Sequence, residues 1–488
     1  MAATASRTEK EAALAAAIAA LSPDEVLAGV ALLAGGVRQR ATGVGWAALR
    51  SPPPPAEEPS LTVGDVDAAI EAVTSTRGAG SAAARARLLE GLLGRATAPE
   101  QEFLRAVLSE GVRQGASRTA VAAAVARAAG VGREPLRRAL MLAGDLGEVA
   151  RIALTAGEAG LAEVRLEVGR PIEPMLAGTA PDLDAALAQV GGEAVVDAKL
   201  DGVRVQVHRT AGGEVRAFTR TLDEITSRVP EVVEAVGALP GGPLVLDGEL
   251  IALRDDGRPH PFQVTASRFG TRSPGTDVPL SAFFFDLLHA GGEDLLDLPA
   301  RERYARLDAI VPAALRVDRS ADAAATQARA LAAGHEGVVV KGLDTPYAAG
   351  RRGTGWIKVK PRLTFDLVVL AAEWGHGRRT GTLSNLHLGA RADDGEGFVM
   401  LGKTFKGLTD AMLAWQTEAL LKLEERRTRG TVWVRPELVV EVAFDGVQAS
   451  TRYPGGVALR FARVLRHRPD KRAAEADTLA AVLATRPD

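Results

Sequence analysis

The segment Lys199-Leu200-Asp201-Gly202, followed by Arg204, decides how the rest of the chain is interpreted. By itself it is a weak signal, because Asp-Gly is a common hairpin turn and the lysine beside it would then be an ordinary surface charge. An ordered series of polar motifs follows, however, and a turn does not predict that order. The series consists of Asp247-Gly248-Glu249, Phe285-Asp286, Glu336-Gly337 with Lys341, Lys358 with Lys360, and an arginine-rich tail block at 459–471.

The chain has 488 residues, more than one hydrophobic core usually supports, so we expect two to four domains. Residues 1–10 lack the layout of a secretory signal and no apolar run is long enough to cross a membrane, which predicts a cytoplasmic protein without a membrane partner. The absence of cysteine excludes disulfides, thiolate zinc sites and cysteine nucleophiles. A metal would be held by oxygen or histidine, and oxygen ligands favour Mg²⁺ or Mn²⁺.

The net charge of −2 does not by itself indicate a nucleic-acid partner. The basic residues are nevertheless concentrated in the C-terminal half. Residues 341–379 contain eight Lys or Arg against three Asp or Glu, and residues 451–472 contain seven against one. Charge runs are most often solvated surface, but both of these overlap the motif series, which favours contact with phosphate.

The sequence changes character along its length, which predicts three regions. Residues 1 to 165 carry Ala- and Leu-rich amphipathic stretches typical of helices. Within them, Ser22-Pro23-Asp24-Glu25 predicts a helix that is capped by Ser22 and ends at Gly35-Gly36. The four prolines at 52–55 predict a loop.

From Arg170 onward the pattern is that of a mixed α and β domain. Val203, Val205 and Val207 alternate with polar residues, as a half-buried strand requires. Further strands are predicted at 244–253, 281–288, 337–340 and 356–359, with helices at 182–190 and 300–310. A third region begins near Leu367, and its short strands, Gly-rich turns and one helix at 410–425 predict a small β-barrel with an inserted helix.

The lysine of the first motif is a candidate nucleophile. An amine attacks phosphorus only when it is unprotonated, and a lysine side chain has a reference pKa of about 10.4, so its surroundings must favour the neutral form. Positive charge from Lys341, Lys358 and Lys360 would do this by repulsion, and would also neutralise the phosphates of a nucleotide. Lys358 and Lys360 are two residues apart on a predicted strand, which places them on one side of it.

Two glutamates are candidate metal ligands. A site that uses ATP normally holds magnesium with one or two carboxylates plus phosphate and water, and Glu249 and Glu336 have the right chemistry. Phe285 lies in an aromatic run that would ordinarily be core, but a ring that faces a purine would contribute about 1–3 kcal/mol by stacking. Taken singly, Asp247-Gly248 and Glu336-Gly337 are equally well explained as a turn and a loop exit.

Taken in order, these motifs resemble those of the covalent nucleotidyltransferases, and specifically the ATP-dependent DNA ligases, over nearly the whole chain. The resemblance implies a multidomain protein: an all-α N-terminal DNA-binding domain at 1–168, an α+β nucleotidyltransferase (adenylation) domain at 169–365 and a C-terminal OB-fold β-barrel at 366–488. Residues 170–177 look like the entry into the ligases' catalytic domain, and residues 110–115 like part of their helical domain.

The resemblance also implies a role for each motif residue. Lys199, with Asp201 of the same motif, would be catalytic, and its amine would carry AMP. Asp197, where the family more often has glutamate, would contact the adenine amino group. Glu249 and Glu336 would hold the metal. The remaining implied nucleotide contacts are Arg204 and Arg220 at the ribose or the 5′-phosphate, Glu249 also at the ribose, Phe285 at the adenine ring, Lys341, Lys358 and Lys360 at the α-phosphate, and Arg460 and Lys471 of the tail block at the pyrophosphate.

The resemblance implies ATP and Mg²⁺ (or Mn²⁺) as cofactors and nicked duplex DNA as partner of a monomer. High arginine, alanine and glycine usage with few lysines indicates a GC-rich genome and hence a bacterium, so the expected location is the bacterial cytoplasm, beside the nucleoid. Such an enzyme would serve DNA replication, repair or recombination. Alternatives are an RNA ligase or a capping-type guanylyltransferase, which share the lysine chemistry, and a catalytically silent nick-binding protein. The long helical region argues against the first two, the complete motif set against the third, and the lack of cysteines against an NAD-dependent ligase with its zinc module.

Overall fold

The N-terminal region is helical, as its composition predicts. In the computed structural model the described residues are 6–39, 42–78, 80–109, 118–269, 278–348, 352–361 and 363–485. One core of the N-terminal region surrounds Ile18, Val121 and Val149, and another surrounds Ile70 and Leu93. Within the described ranges, no helix is both long and apolar enough to cross a membrane. The helices of this region are α1 (Arg7–Ala19), α2 (Val26–Leu33), α3 (Trp46–Leu49), α4 (Val63–Ser75), α5 (Ser81–Arg95), α6 (Ala98–Ser109), α7 (Arg118–Ala129), α8 (Arg133–Ala143) and α9 (Leu146–Ala162).

The first turn of α2 differs from the sequence prediction. The helix begins at Val26, with Glu25 as its N-cap, and not at Pro23. The carboxylate of Glu25 turns back and accepts hydrogen bonds from the backbone N–H (3.2 Å) and the hydroxyl (2.9 Å) of Ser22. Ser22 is therefore a donor in a tight turn and does not cap the helix, whereas the predicted end is confirmed by the left-handed φ of 85° at Gly35.

The middle region contains two sheets of five strands each. The first has the strand order β1-β10-β9-β2-β8 and the second the order β4-β3-β5-β6-β7, and all the strands and helices predicted here are present with slightly shifted ends. In chain order the elements are β1 (Leu176–Ala180), α10 (Leu183–Val190), β2 (Ala194–Lys199), β3 (Val203–Arg209), β4 (Val215–Thr219), α11 (Pro230–Gly237), β5 (Leu244–Ala252), α12 (Phe262–Ser267), β6 (Leu280–Ala290), β7 (Glu293–Asp294), α13 (Ala300–Ile310), β8 (Arg319–Ser320), α14 (Ala323–Ala332), β9 (Gly337–Gly342) and β10 (Arg352–Val359).

Strand β3 is buried on both faces, which corrects the prediction of a half-buried strand. Val205 and Val207 are fully buried on one face, but Gln206 (3% exposed) and His208 (0%) are buried on the other. The Gln206 amide bonds to the backbone N–H and carbonyl of Ile172, both at 2.9 Å. The chain segment that enters the middle region thus covers the polar face of the strand and satisfies its hydrogen bonds.

Helix α8 shares a core with the middle region. Met141 and Leu142 pack in one cluster with Tyr347 and Trp356, and each of the four is at most 3% exposed. The backbone N–H of Glu173 also donates to the carbonyl of Met141 at 2.9 Å. Burying an apolar side chain of this size stabilises a fold by about 1.5–3 kcal/mol, so the helical region is packed against the middle region and not merely tethered to it.

The third region is built on a seven-stranded sheet in which β11 is central. Strand β11 pairs with β12, β15 and β16, β13 pairs with β12, β14 with β15, and β19 with β16, while β17 and β18 form a separate pair. The predicted helix is confirmed as α15, which ends three residues early. The elements are β11 (Leu363–Trp374), β12 (Leu383–Arg391), β13 (Phe398–Thr404), α15 (Asp410–Lys422), β14 (Glu424–Arg427), β15 (Thr431–Val434), β16 (Val439–Phe444), β17 (Gly446–Ala449), β18 (Val457–Arg460), β19 (Arg463–His467) and α16 (Leu479–Leu483).

Buried His208 makes the fold sensitive to acid. Burial lowers its pKa from 6.5 to about 3, because the charged ring would lose its solvation. The unfolded chain therefore binds a proton more readily, so the stability contributed by His208 is complete above pH 6.5 and falls as the pH drops towards 3. We expect the free energy of unfolding to decrease by up to about 1.4 kcal/mol per pH unit in that window, measured by urea denaturation. His208→Gln, which stays uncharged, should show a smaller decrease, and an unchanged decrease would contradict this account.

Candidate active site

A cavity of about 480 Å³ lies between the two sheets of the middle region. It brings together most of the residues that the sequence singled out. Of the predicted site residues, those lining it are Asp197, Lys199, Arg204, Arg220, Glu249, Phe285, Lys341 and Lys358. Residues lining it that the sequence analysis did not select include Leu176, Phe262, Val317 and Trp356.

The segment after Lys199 carries the chain from one sheet to the other. Strand β2 ends at Lys199 in the first sheet and β3 begins at Val203 in the second, so Asp201-Gly202 is not a hairpin turn. A Cβ on Gly202 would lie 2.2 Å from the carbonyl oxygen of Leu250, so no other residue fits without moving the backbone. This close backbone contact fixes the connection from β2 to β3, and with it the position of Lys199 in the wall of the cavity.

The Asp247-Gly248-Glu249 motif lies within β5 and is not a turn either. Asp247 is fully buried and accepts two hydrogen bonds from Arg204, at 2.7 and 2.6 Å, and one from the Tyr347 hydroxyl at 2.7 Å. Glu249, two residues along the strand, lines the cavity. Burial raises the pKa of Glu249 to about 7, because it outweighs the attraction of Lys199 and Arg204 for the ionised form.

An aromatic pair forms part of the cavity wall. Phe285 and Trp356 meet edge to face, with ring centroids 5.7 Å apart. The Arg204 guanidinium lies 4.9 Å from the Phe285 centroid, and Lys341 Nζ lies 4.4 Å from it. The sequence analysis missed Trp356, although it is two residues before Lys358 on β10 and strand alternation places both on the same side.

Asp197 is buried (2% exposed) and has two cationic partners. Arg319 Nε donates to its Oδ1 at 2.8 Å, and Lys341 Nζ lies 2.6 Å from its Oδ2. Burial raises the pKa of Asp197, but the charges of Arg319 and Lys341 outweigh burial and lower it below the ordinary value. Arg319 belongs to the two-residue strand β8, which has no periodicity or motif by which the sequence could have revealed it.

Glu336 lies immediately before β9 and is shared by two lysines. Lys199 Nζ is 2.6 Å from its Oε2, and Lys360 bonds to its Oε1. Burial raises the pKa of Glu336, but Lys199 and Lys360 lower it further than burial raises it. The predicted cluster of unbalanced lysines is therefore corrected, since both Lys341 and Lys360 have carboxylate partners.

The third region reaches the mouth of the cavity through Arg460. Its Nη1 donates to Asp201 Oδ2 at 2.7 Å, and its guanidinium lies 5.2 Å from the centroid of the Phe262 ring. Asp201 and Arg460 also line a neighbouring cavity of about 260 Å³. Lys471 is elsewhere, 2.5 Å from Asp366 within the third region, and residues 110–115 fall outside the described part of the chain.

We predict that Gly337→Ala destabilises the protein. Gly337 has a φ of 143°, and a Cβ there would lie 2.3 Å from the carbonyl oxygen of Val359 on the adjacent strand. Forcing an extra methyl group into such a site costs about 1–3 kcal/mol of the free energy of unfolding, which chemical denaturation measures. The control is Gly237→Ala, where a Cβ meets nothing within 4 Å at the end of α11. Equal losses in both variants would contradict the packing argument.

Comparison with known proteins identifies the family. Three family models match the chain: "DNA ligase N terminus" at 47–126, "ATP dependent DNA ligase domain" at 174–360 and "ATP dependent DNA ligase C terminal region" at 379–471. A probable DNA ligase of Mycolicibacterium gilvum is 56% identical over 489 residues, which cover 98% of this chain and 96% of the relative. A probable DNA ligase of Anaeromyxobacter sp. is 57% identical over 495 residues, with 99% and 95% coverage.

A solved structure shows the same fold. The structure titled "Pmar-Lig_PreS3" is 18% identical, with a TM-score of 0.59 over 95% of this chain and 96% of its own. The likeness therefore extends over all three regions and not only over the cavity. With relatives this similar along almost its full length, the chain belongs to the family of ATP-dependent DNA ligases, which use ATP to join DNA.

Proposed function

We propose that this ligase carries its adenylate on Lys199 and seals nicks in duplex DNA in three steps. First, the Lys199 amine attacks the α-phosphorus of ATP, an N–P bond forms and the bond to pyrophosphate breaks. Next, the 5′-phosphate of the nick displaces the lysine and takes the AMP. Finally, the 3′-hydroxyl attacks that 5′-phosphate, the phosphodiester forms and AMP leaves. The position of Lys199 in the wall of the 480 Å³ cavity, among the other motif residues, is the observation that best supports this.

Lys360 has a role that follows from its shared carboxylate. Lys199 must lose a proton and turn towards phosphorus, which would leave Glu336 without one of its partners. Lys360 remains bonded to Glu336 at that moment. A half-buried carboxylate thus stays paired throughout, and the cost of several kcal/mol for an unpaired buried charge is avoided.

The cavity residues supply the nucleotide contacts in this proposal. Asp197 accepts a hydrogen bond from the adenine amino group. Phe285 contacts the adenine ring with the part of its own ring that Arg204 and Lys341 do not cover. Arg204 and Arg220 serve the ribose or the 5′-phosphate of the nick, and Glu249 the ribose. Lys341, Lys358 and Lys360 hold the α-phosphate. Each of these residues except Lys360 lines the cavity, and Lys360 reaches it through Glu336.

The carboxylates present fit Mg²⁺ or Mn²⁺. Glu249 lines the cavity and Glu336 lies against Lys199, so both are close to the proposed phosphates. Among the described residues no group of three or more His, Asp or Glu is placed to hold a metal, so phosphate oxygens and water would complete the coordination, as is usual for Mg²⁺. The pKa of about 7 at Glu249 means that a bound cation would displace a proton from part of the population. The ion would neutralise charge on the phosphates.

Closure of the third region brings the tail block to the cavity mouth. The contact of Arg460 with Asp201 supports this closed arrangement for the first step, in which Arg460 orients the pyrophosphate. Lys471 is proposed to assist only after moving away from Asp366. DNA must later occupy the space that the tail block leaves, so the third region is expected to open again.

The domain assignment belongs to the same proposal. A helical DNA-binding domain at 1–168, an adenylation domain at 169–365 and an OB-fold domain at 366–488 agree with the helical, two-sheet and seven-stranded regions, although the last boundary falls within β11. The strongly paired strands and the helix α15 support the OB-fold. Nicked duplex DNA is the proposed substrate of a monomeric enzyme. Its cytoplasmic, nucleoid-associated location stays a prediction.

We predict that α-labelled ATP with Mg²⁺ transfers its label to the protein and that Lys199→Ala abolishes the transfer, because Lys199 is the proposed nucleophile and Lys341 and Lys358, which also line the cavity, are proposed to hold the α-phosphate. Lys403→Ala is the matched control. Lys403 is similarly exposed (27% against 23%) and also pairs with a glutamate, Glu373, but it lies in the third region.

Release of the label in acid but not in alkali would show an N–P bond, and absence of the label from Lys199→Ala but not from Lys403→Ala would place it on Lys199. Parallel reactions with GTP and NAD test the alternatives. Label from GTP but not ATP would move the assignment to capping chemistry, and label retained in Lys199→Ala would refute the nucleophile.

We predict that Arg460→Ala slows lysine adenylylation by at least about tenfold, the effect of losing one charge-assisted contact of about 1.4 kcal/mol or more. Sealing of a nick that already carries AMP on its 5′-phosphate should change little, since no pyrophosphate takes part. The control is Arg466→Ala, which removes a more exposed arginine paired with Glu441 in the same region. Equal loss in both reactions would contradict a role confined to the first step.

A further inference from the structure

Arg319 bonds to both cavity residues that are proposed to contact the base. Its Nε donates to Asp197 Oδ1 at 2.8 Å, and its Nη2 donates to the backbone carbonyl of Phe285 at 2.7 Å. Arg319 is not among the described residues that line the cavity, so it acts from behind the wall. Its guanidinium carbon lies 3.8 Å from the centroid of the Tyr304 ring, and its side chain is 13% exposed.

These bonds connect the two sheets. Asp197 is on β2 in the first sheet and Phe285 is on β6 in the second, and Arg319 faces Asp197 from the neighbouring strand β8. One planar guanidinium therefore fixes the distance between a carboxylate and an aromatic residue that belong to different sheets. Lysine has neither the planar fork nor the second fixed donor direction.

The charge state of Asp197 determines whether it donates or accepts the hydrogen bond to the base. Burial is outweighed by Arg319 and Lys341, so the pKa of Asp197 is lowered and the group is ionised at neutral pH. An ionised carboxylate only accepts hydrogen bonds. It therefore suits the 6-amino group of adenine and repels the 6-oxo group of guanine.

We propose that Arg319 is a positioning residue that sets the preference for adenine over guanine by fixing Asp197 relative to Phe285. The inference rests on the proposed function, in which Asp197 meets the adenine amino group. Lys341 also bonds to Asp197 and lies 4.4 Å from the Phe285 ring, but it lines the cavity itself, whereas Arg319 lies behind the wall and donates hydrogen bonds both to Asp197 and to the Phe285 backbone. A site built to bond one polar group rejects a base that lacks it, because its own buried group is left unpaired.

The test compares label transfer to the full chain from ATP, GTP and purine riboside 5′-triphosphate, which lacks the 6-amino group. In Arg319→Lys and Arg319→Gln we expect the ratio of kcat/KM for ATP over GTP to fall by about 10- to 100-fold, the range for loss of a hydrogen bond to a charged group. The ratio for ATP over purine riboside triphosphate should fall in parallel. Each ratio is independent of the fraction of protein that is folded, so a purely structural defect leaves it unchanged.

Arg268→Lys is the matched control. Arg268 is 15% exposed and likewise joins one carboxylate, that of Glu231, to a backbone carbonyl, that of Val278, but it does not line the cavity. Its variant should keep both ratios.

Three outcomes would overturn the inference: ratios preserved in the Arg319 variants, an equal fall in Arg268→Lys, or a wild type that does not distinguish ATP from GTP. A wild type that takes no label from any nucleotide would instead refute the proposed function, and the inference with it.

Discussion

The close contact between the backbone of Gly202 and the carbonyl of Leu250 is the constraint on which the cavity depends. No side chain fits between them, so the chain crosses directly from the first sheet to the second. Lys199 therefore ends its strand at the seam, and the next residues of the motif face the third region. Gly337 and the carbonyl of Val359 make a similar contact behind Glu336. Glycine at these two positions holds Lys199 and its carboxylate partner Glu336 in register.

The second organising feature is that carboxylates in and behind the cavity wall have more than one donor. A buried ion pair broken by removal of one partner costs about 3–5 kcal/mol, because the remaining charge is left in a poor solvent. A carboxylate with two partners keeps one when the other moves. The shared groups are Asp197 with Arg319 and Lys341, Asp247 with Arg204 and Tyr347, and Glu336 with Lys199 and Lys360. Such an arrangement leaves no carboxylate unpaired when one of its donors moves.

Much of this architecture could be predicted from the sequence, because strand periodicity and helix composition depend on neighbouring residues. The helical region, the strands around the motifs and the helix α15 belong to this class. The burial of both faces of β3 could not be predicted, since the segment that covers it comes more than thirty residues earlier in the chain. The start of α2 was missed because Ser22 bonds to Glu25 as a donor, a choice that composition does not reveal.

In the candidate site, too, features that depend on sequence neighbours could be predicted, and features that depend on residues distant in the sequence could not. The motifs identified eight of the residues that line the cavity, because these side chains have the charges and rings that a nucleotide site would need. They did not identify the partners of these residues, such as Arg319 and Tyr347, which stand outside any motif and are brought close only by the pairing of distant strands. The prediction of mutually repelling lysines was wrong for the same reason: Lys341 and Lys360 each pair with a carboxylate that is distant in the sequence and close only in the fold.

The shared core between α8 and the cavity wall affects how the protein loses its structure. Met141 and Leu142 pack against Tyr347 and Trp356, so unfolding of the helical region would remove the apolar cover behind the cavity wall. The two parts are thus coupled through a common core, and a shortened enzyme that lacks residues 1–162 would expose an apolar surface prone to aggregation.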